Sequence, residues 1–231
     1  MFKPDDNNFE QSHFAAVLAL TKENLEKYRK EEKALSDELY TLLETYGAKD
    51  IEALSMIDNL QVMYERAQHE AARAERARQK PFFGRIDFVD DKHKSNDTIY
   101  IGKVGISRDV THLEVIDWRA PVANSYYESH IGEVTYSVPG EGSFVIDLKK
   151  KRTYEIKDDT LLSFFDSDVV ANDELLNRYL SQNKKAVLGE IIATIQKEQN
   201  DIIRQSPYKS IIVQGAAGSG KTTVAMHRIS Y

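Results

Sequence analysis

The residues best suited to chemistry form a glycine-rich stretch near the end of the chain. The run Gly-Ala-Ala-Gly-Ser-Gly-Lys-Thr, residues 215–222, matches the pattern G-x-x-x-x-G-K-[ST] and lies between the apolar segment SIIVQ and the helical pattern TTVAMHRI. Glycines let the backbone wrap around phosphate oxygens, and the N-terminus of the following helix favours negative charge. The sequence therefore predicts a phosphate-binding loop between a strand and a helix.

The positions of this loop have distinct predicted roles. Lys221 is the candidate catalytic residue because its ammonium group can bridge β- and γ-phosphates, and the Thr222 hydroxyl is the candidate metal ligand. ATP and Mg²⁺ are thus the predicted cofactors. A plain glycine turn is the alternative, but it leaves Lys221 unexplained. The candidate cofactor-binding residues of the loop are Gly215, Ala216, Ala217, Gly218, Ser219, Gly220, Lys221, Thr222 and Thr223.

Composition limits the class of protein. The 231 residues are 41% hydrophobic and 29% charged, as in a soluble protein with one large core or two smaller modules. A net charge of −6 argues against a general nucleic-acid coat, which needs an excess of Lys and Arg. There is no cysteine, so disulfides and thiolate metal sites are excluded. The six histidines show no ligand spacing, and we predict no structural metal.

The N-terminus carries no sign of export. The segment MFKPDDNNFEQ has acids where a signal peptide needs bases, and the longest early apolar run, FAAVLAL, is seven residues long. A membrane-spanning helix needs about 20 apolar residues. We therefore expect a cytoplasmic protein without a membrane span.

Residues 1–80 are predicted to form a coiled-coil helical hairpin. Apolar residues recur at alternating steps of four and three in two segments, which are separated by YGAKD. Gly47 suits the end of one helix and Asp50 the N-cap of the next. Over residues 11–79 this predicts antiparallel arms of roughly 54 and 43 Å. The predicted seam positions are Phe14, Leu18, Thr21, Leu25, Tyr28, Glu32, Leu35, Leu39, Leu42, Tyr46, Ala53, Ile57, Leu60, Tyr64, Ala67, Ala71 and Ala74.

Charge is distributed unevenly along this hairpin. Residues 37–58 contain six acids against one base, whereas residues 66–80 contain five bases against two acids. An acidic tip could be steered into a positively lined cavity of a partner. A structural spacer or an oligomerisation element is the alternative, since solvated helix faces also carry such charges.

From Pro81 the pattern changes from helix to strand. Short apolar and β-branched runs about ten residues apart predict a small antiparallel sheet or barrel over residues 81–160, with a turn at PGEG (139–142) and bends at Gly102 and Gly105. Helical periodicity resumes in DELLNRYLSQN and AVLGEIIATIQKEQNDIIRQ. Residues 161–231 are therefore predicted to be helices plus the start of a P-loop α/β domain, which makes the whole chain a multi-module α+β protein.

Two further stretches resemble functional sites. FVDD, residues 88–91, could be a strand that ends in magnesium-binding acids, but it precedes Lys221 by 130 residues. We favour an ordinary strand end followed by a turn. KKKR, residues 149–152, could contact phosphates, although a solvated hairpin is the more frequent role of such a run.

The C-terminal stretch VQGAAGSGKTTVAMHRISY resembles the start of the motor domain of UvrD/Rep-like superfamily 1 helicases. Upstream, IQKEQNDII resembles their Q motif, whose glutamine reads the adenine edge. Gln199 is the best match by its spacing to the loop and is the remaining candidate cofactor-binding residue; Gln196 is the second choice. An amide can pair with both a donor and an acceptor on adenine, which gives a physical reason for a preference for ATP.

The order of segments over the whole chain resembles the HelD family of helicase-like RNA polymerase recycling factors. The resemblance rests on the hairpin followed by FFGRIDF, YIGKVGI and DWRAPVANSYYE. Its most specific part is residues 117–127, where the residues themselves indicate only a buried Trp118 and a turn at Pro121. The resemblance implies that the hairpin enters the secondary channel of RNA polymerase and that ATP drives release of stalled polymerase. It leaves nucleic-acid binding by the full-length members open.

Three hypotheses follow. The chain is the N-terminal part of a HelD-type ATPase, the N-terminal part of a UvrD-like DNA helicase, or a non-catalytic coiled-coil adaptor with a vestigial phosphate loop. The hairpin and β module ahead of the loop favour the first. By the same resemblance the chain is a fragment that lacks the later motor motifs. We therefore expect it to bind RNA polymerase without hydrolysing ATP. We also expect the apolar strand SIIVQ to be exposed, because the rest of the motor sheet is missing.

Overall fold

The structure is a computed structural model, and it describes most of the chain. The described residues are 3, 6–46, 51–90, 95–109, 111–128, 130–166, 198–206, 208–216 and 218–231, with the side chains of 51, 52 and 230 left aside. Predictions for Gly47, Asp50, Gln196, Ala217 and the helical pattern DELLNRYLSQN lie outside these residues.

Two long helices form an antiparallel pair. Helix α1 spans Asn7–Tyr46 and helix α2 spans Ile51–Gln79, which gives lengths of about 60 and 44 Å. An ion pair of 2.8 Å joins Arg29 of α1 to Glu75 of α2 near the base. Small buried side chains let the helices approach closely, and these are Ala53, Ala67, Ala71, Ala74 and Ala77 of α2. The predicted helical hairpin is therefore confirmed.

Seven strands follow and form one curled sheet. They are β1 (Gly84–Asp90), β2 (Ser95–Gly102), β3 (Ile106–Ser107), β4 (Leu113–Asp117), β5 (Gly132–Val138), β6 (Gly142–Lys157) and β7 (Thr160–Asp166). Their order is β3-β4-β2-β1-β6-β5, and β7 pairs with the second half of the long strand β6. The sheet thus continues past residue 160.

The prediction of an antiparallel sheet is wrong for one pair of strands. Strand β4 lies parallel to β2, with Ile116 opposite Ile101, while all other described pairs are antiparallel. The chain leaves β2, forms the two-residue strand β3, and reverses to place β4 between β3 and β2. Alternating side chains report which face a residue occupies, but not the direction of the neighbouring strand.

Each face of the sheet carries its own apolar core. One core joins the base of the hairpin to the sheet, and it contains Phe14, Val17, Leu20, Ala77, Phe82, Tyr100, Ile106, Val115, Tyr154, Ile156 and Leu161. The other lies under a 3₁₀ helix, Pro121–Tyr127, and contains Ile86, Phe88, Ile101, Ala123, Val134, Ile146 and Leu148. The hairpin therefore packs on one face of the curled sheet, and the segment 117–127 packs on the other.

The turn between β6 and β7 also contacts the hairpin. Asp158 and Asp159 both have positive φ, 49° and 53°, as in the tight turns that join antiparallel strands. The Asp159 carboxylate lies 3.2 Å from the Arg78 guanidinium of α2 and 3.5 Å from the Lys22 ammonium of α1. One turn of the sheet thus touches the base of both helices.

The two stretches that resembled sites belong to the sheet. Residues 88–90 are the end of β1, and Asp91 lies outside the described chain. KKKR lies within β6, where Arg152 is buried and the Lys151 ammonium donates to the Glu128 carbonyl. The interpretation of KKKR as a solvated hairpin is therefore wrong: the run pairs with β1, and the side chains of its second half, Lys151 and Arg152, are buried against Glu128 and Glu10.

The C-terminal part contains two helices and no described strand. Helix α3 covers residues 198–203, and helix α4 spans Lys221–Ser230. The predicted strand SIIVQ is wrong: residues 210–214 have no strand partner within the described chain, and a strand requires one for its hydrogen bonds. Ile212 is 97% exposed, as expected for this segment. No described helix combines the length and apolarity that a membrane span requires.

Candidate functional site

The glycine-rich loop leads directly into helix α4. Gly218 and Gly220 have φ values of +81° and +83°, a left-handed conformation that side chains disfavour, so these positions suit glycine. The helix begins at once, since the Val224 amide donates to the Gly220 carbonyl at 2.9 Å. The amides of the first helical turn therefore lie beside a loop of small residues, an arrangement able to bind an anion.

Lys221 lies across this loop. Its ammonium group donates to the Gly215 carbonyl at 2.8 Å and to the Ala216 carbonyl at 2.6 Å. Both bonds are exposed, so the ammonium can exchange these carbonyls for the oxygens of a bound phosphate at little cost. Thr222 and Thr223 are exposed in the first turn of α4. The positions predicted for phosphate and metal contacts are thus together at one end of the helix.

Gln199 reaches the loop from helix α3. Its amide nitrogen donates to the Ser219 carbonyl at 3.4 Å, and a Cβ atom added at Gly220 would lie only 2.9 Å from that nitrogen. A larger residue at position 220 would therefore displace the amide. The structure brings together the loop and the glutamine, which are separated by 20 residues in the sequence.

The donor set fits a nucleoside triphosphate with a magnesium ion. The loop offers a lysine ammonium and glycine amides for phosphate oxygens, a threonine hydroxyl for the metal, and an amide at its side. Among the described residues, no cluster of three or more His, Cys, Asp or Glu side chains forms a separate metal site.

The segment DWRAPV attaches this site to the sheet. Arg204, just after α3, donates to the Trp118 carbonyl and, at 3.3 Å, to the Arg119 carbonyl. The Trp118 ring contacts the His227 ring of α4 edge to face, with centroids 5.6 Å apart. Pro121 begins the 3₁₀ helix, as the predicted turn required, but Trp118 is only partly buried. It packs against the core under the 3₁₀ helix and also contacts α4, so it joins the two modules.

Helices α3 and α4 are held together by Arg228. Its guanidinium donates to the carbonyls of Ile202, Ile203, Gln205, Ser206 and Lys209, at distances between 2.8 and 3.4 Å. These include the free carbonyls at the C-terminus of α3, which need partners outside the helix. The arginine of HRISY is thus a structural link within the candidate site.

A buried charge network lies on the opposite face of the sheet. The Glu10 carboxylate of α1 accepts hydrogen bonds from Arg85 of β1 at 2.6 Å and from Arg152 of β6 at 2.7 Å. Glu10 and Arg85 are fully buried, and Arg152 is 2% exposed. The second Glu10 oxygen accepts from the hydroxyls of Tyr154 and Tyr100. The first turn of the hairpin is therefore fastened to the centre of the sheet.

Further acids complete this network. Arg85 also makes two hydrogen bonds to the Asp87 carboxylate, and Arg152 makes two to the Asp166 carboxylate. Burial raises the pKa of Tyr154, so its hydroxyl remains a donor to Glu10. Sequence reasoning missed this network, although an arginine within each of two strand patterns was an available signal, because buried arginines need paired acids.

His13 lies beside the network among aromatic rings. Its ring centroid is 4.0 Å from that of Tyr100, and its Nε2 atom is buried without a hydrogen-bond partner in the described structure. Burial, together with the positive charges of Lys3 and Arg85, lowers the pKa of His13 to about 3. His13 is therefore neutral at physiological pH.

We expect the protein to lose stability as the pH falls from about 6.5 towards 4, because His13 takes up a proton readily only when unfolded. Urea unfolding at pH 7 and pH 4.5 should show that His13→Phe removes up to about 2.5 kcal/mol of this loss. His69→Phe, at an exposed position of α2, is the control. An unchanged pH dependence in His13→Phe would contradict the prediction.

The fold and site define a class of protein: a helical hairpin on a curled sheet, followed by a loop with the features of a phosphate-binding loop. The family model described as DNA helicase IV HelD, N-terminal domain, matches residues 8–183, and the chain belongs to this family. It is therefore a helicase-related protein, and the expected family is confirmed. The match covers the hairpin and the sheet and ends before the loop. No curated protein matches the chain.

Proposed function

We propose that the chain is part of an ATP-dependent, helicase-like motor that binds RNA polymerase through its hairpin and helps to release or recycle stalled polymerase. The nucleotide part rests on one observation: Lys221, two left-handed glycines and the Gln199 amide meet at the start of α4. Membership of a helicase-related family supports the same class of activity.

Each residue of the site would have a separate task. Lys221 would move from the loop carbonyls to the β- and γ-phosphates, and loop amides would bind the remaining phosphate oxygens. Gln199 would pair with the adenine edge, since its amide offers both a donor and an acceptor. Thr222 would hold Mg²⁺, which neutralises phosphate charge when it is bound.

The distal half of the hairpin supports the polymerase-binding part. Asp37, Glu38, Glu44 and Asp58 are all exposed there. Exposed apolar side chains lie among them, and these are Tyr40, Leu43, Tyr46, Leu54, Met56, Val62 and Met63. An acidic surface with exposed aromatic and aliphatic side chains suits a positively lined cavity with apolar walls. The polymerase secondary channel is the cavity that we propose.

Reversing two of these acids, Glu44→Lys with Asp58→Lys, is expected to weaken binding to purified bacterial RNA polymerase at least about tenfold. Both side chains are exposed, so the hairpin should keep its helicity while the charge that guides docking is lost. Surface-immobilised polymerase gives the affinity at low and physiological salt, and circular dichroism gives the helicity.

The matched control reverses Glu23 and Glu31, which are exposed on the same hairpin closer to its base. It changes the net charge by the same amount, so it separates a local tip contact from general electrostatic attraction. Equal losses in both double variants, or no loss in either, would contradict docking through the tip.

A further inference from the structure

Two neighbouring residues of helix α3 face different modules. Gln199 donates to the phosphate loop at Ser219, whereas Asn200 donates from its amide nitrogen to the Asn124 side-chain oxygen in the 3₁₀ helix of the β module. Consecutive helical side chains are separated by about 100°. Fixing the direction of Asn200 therefore also fixes the direction of Gln199.

The contact through Asn200 is buried and bonded on both sides. Asn200 is 3% exposed, and its side-chain oxygen accepts from the Arg204 guanidinium at 3.0 Å. Arg204 in turn donates to the carbonyls of Trp118 and Arg119. A buried amide whose donor and acceptor are both engaged has one favourable orientation, because any other orientation leaves a polar atom unpaired.

From this geometry we infer that Asn124 is a positioning residue for the nucleotide base. It lies in the β module and contacts no loop residue through the bonds described, yet it holds Asn200 and thereby aims Gln199 at the space beside Gly220. The β module consequently sets the preference of the site for adenine. This inference rests on the proposed nucleotide-binding function.

The inference predicts a split between recognition of the base and recognition of the phosphates. Asn124→Ala leaves the Asn200 amide nitrogen without its acceptor. Arg204 and Arg228 still attach α3, but the Asn200 side chain is held on one side only, so the Gln199 amide is aimed less firmly at the base. Lys221 and the loop glycines are unaffected. We expect the ratio of ATP to GTP affinity to fall about three- to tenfold, with the affinity for inorganic tripolyphosphate unchanged.

The test measures the binding of ATP, GTP and tripolyphosphate to the 231-residue chain by calorimetry with Mg²⁺ present. Asn124→Asp is the conservative variant, because a carboxylate oxygen still accepts the Asn200 amide, and it should retain the preference for ATP. Gln199→Ala should lose that preference. Adding Asn124→Ala to Gln199→Ala should then change nothing further, since both act on one interaction.

The outcomes separate this inference from the proposed function. If the wild-type chain binds neither nucleotide, the proposed site fails, and the inference fails with it. If the wild type prefers ATP and Asn124→Ala keeps that preference, the nucleotide site stands and the inference is overturned. An equal loss of all three ligands, tripolyphosphate included, also overturns it, because that pattern indicates general unfolding of the site.

Discussion

Replacing Lys221 with alanine is expected to weaken ATP binding to the 231-residue chain by at least about tenfold. Hydrogen bonds that involve a charged group contribute about 1.5–3 kcal/mol, and 1.4 kcal/mol corresponds to a tenfold change. The fold should be unchanged, because the bonds from Lys221 to Gly215 and Ala216 are exposed. Titration with a fluorescent ATP analogue in the presence of Mg²⁺ measures the effect.

The control for this prediction is Lys209→Ala. Lys209 is an exposed cation of the same C-terminal segment, and its backbone carbonyl, rather than its side chain, contacts Arg228. In a longer chain that hydrolyses ATP, Lys221→Ala should abolish turnover as well. Equal ATP affinities for the Lys221 and Lys209 variants would remove the basis for the phosphate-binding loop.

The second large effect is expected at the base of the hairpin. Glu10→Ala should destabilise the fold by about 3–5 kcal/mol, because it leaves two buried guanidinium groups without their shared carboxylate. The hydroxyls of Tyr100 and Tyr154 lose their acceptor in the same change. Urea unfolding, followed by far-ultraviolet circular dichroism, measures the free energy of unfolding.

Two variants sharpen the interpretation of Glu10→Ala. Glu23→Ala removes an exposed acid from the same helix and should change stability by less than about 0.5 kcal/mol. Glu10→Gln keeps the hydrogen-bonding shape but removes the charge, and should give an intermediate loss. If Glu10→Ala costs no more than Glu23→Ala, the network does not fasten the hairpin to the sheet.

The hairpin was the most predictable part of the fold. Its helices follow from a local period, and the positions from Phe14 to Leu42 that the pattern assigned to the seam are buried or partly buried. The exception is Tyr46 at the end of α1, which is 52% exposed. A period of this kind needs no distant partner, because each side chain of a helix lies over its own neighbouring turns.

The sheet was predictable only in outline. Alternation located most of the strands and the turn at 139–142, but it missed β7, which lies where helices were predicted, and the parallel pairing of β2 with β4. It also misassigned KKKR and the segment 210–214, since strand formation and burial both depend on elements that are distant in the sequence. The partners of β6 come from three separate parts of the chain.

The candidate nucleotide site also has a part that the sequence predicts and a part that only the tertiary structure decides. Residue types and spacing by themselves predicted the loop and the role expected of Lys221, because a phosphate-binding loop is built from consecutive residues. The choice of Gln199 came from the resemblance to the Q motif of UvrD/Rep-like helicases. Only the tertiary structure decided that the segment 117–127 holds α3 and α4, and that Glu10 meets Arg85 and Arg152, which are 75 and 142 residues away. These contacts depend on how distant elements pack, and local periodicity does not record that packing.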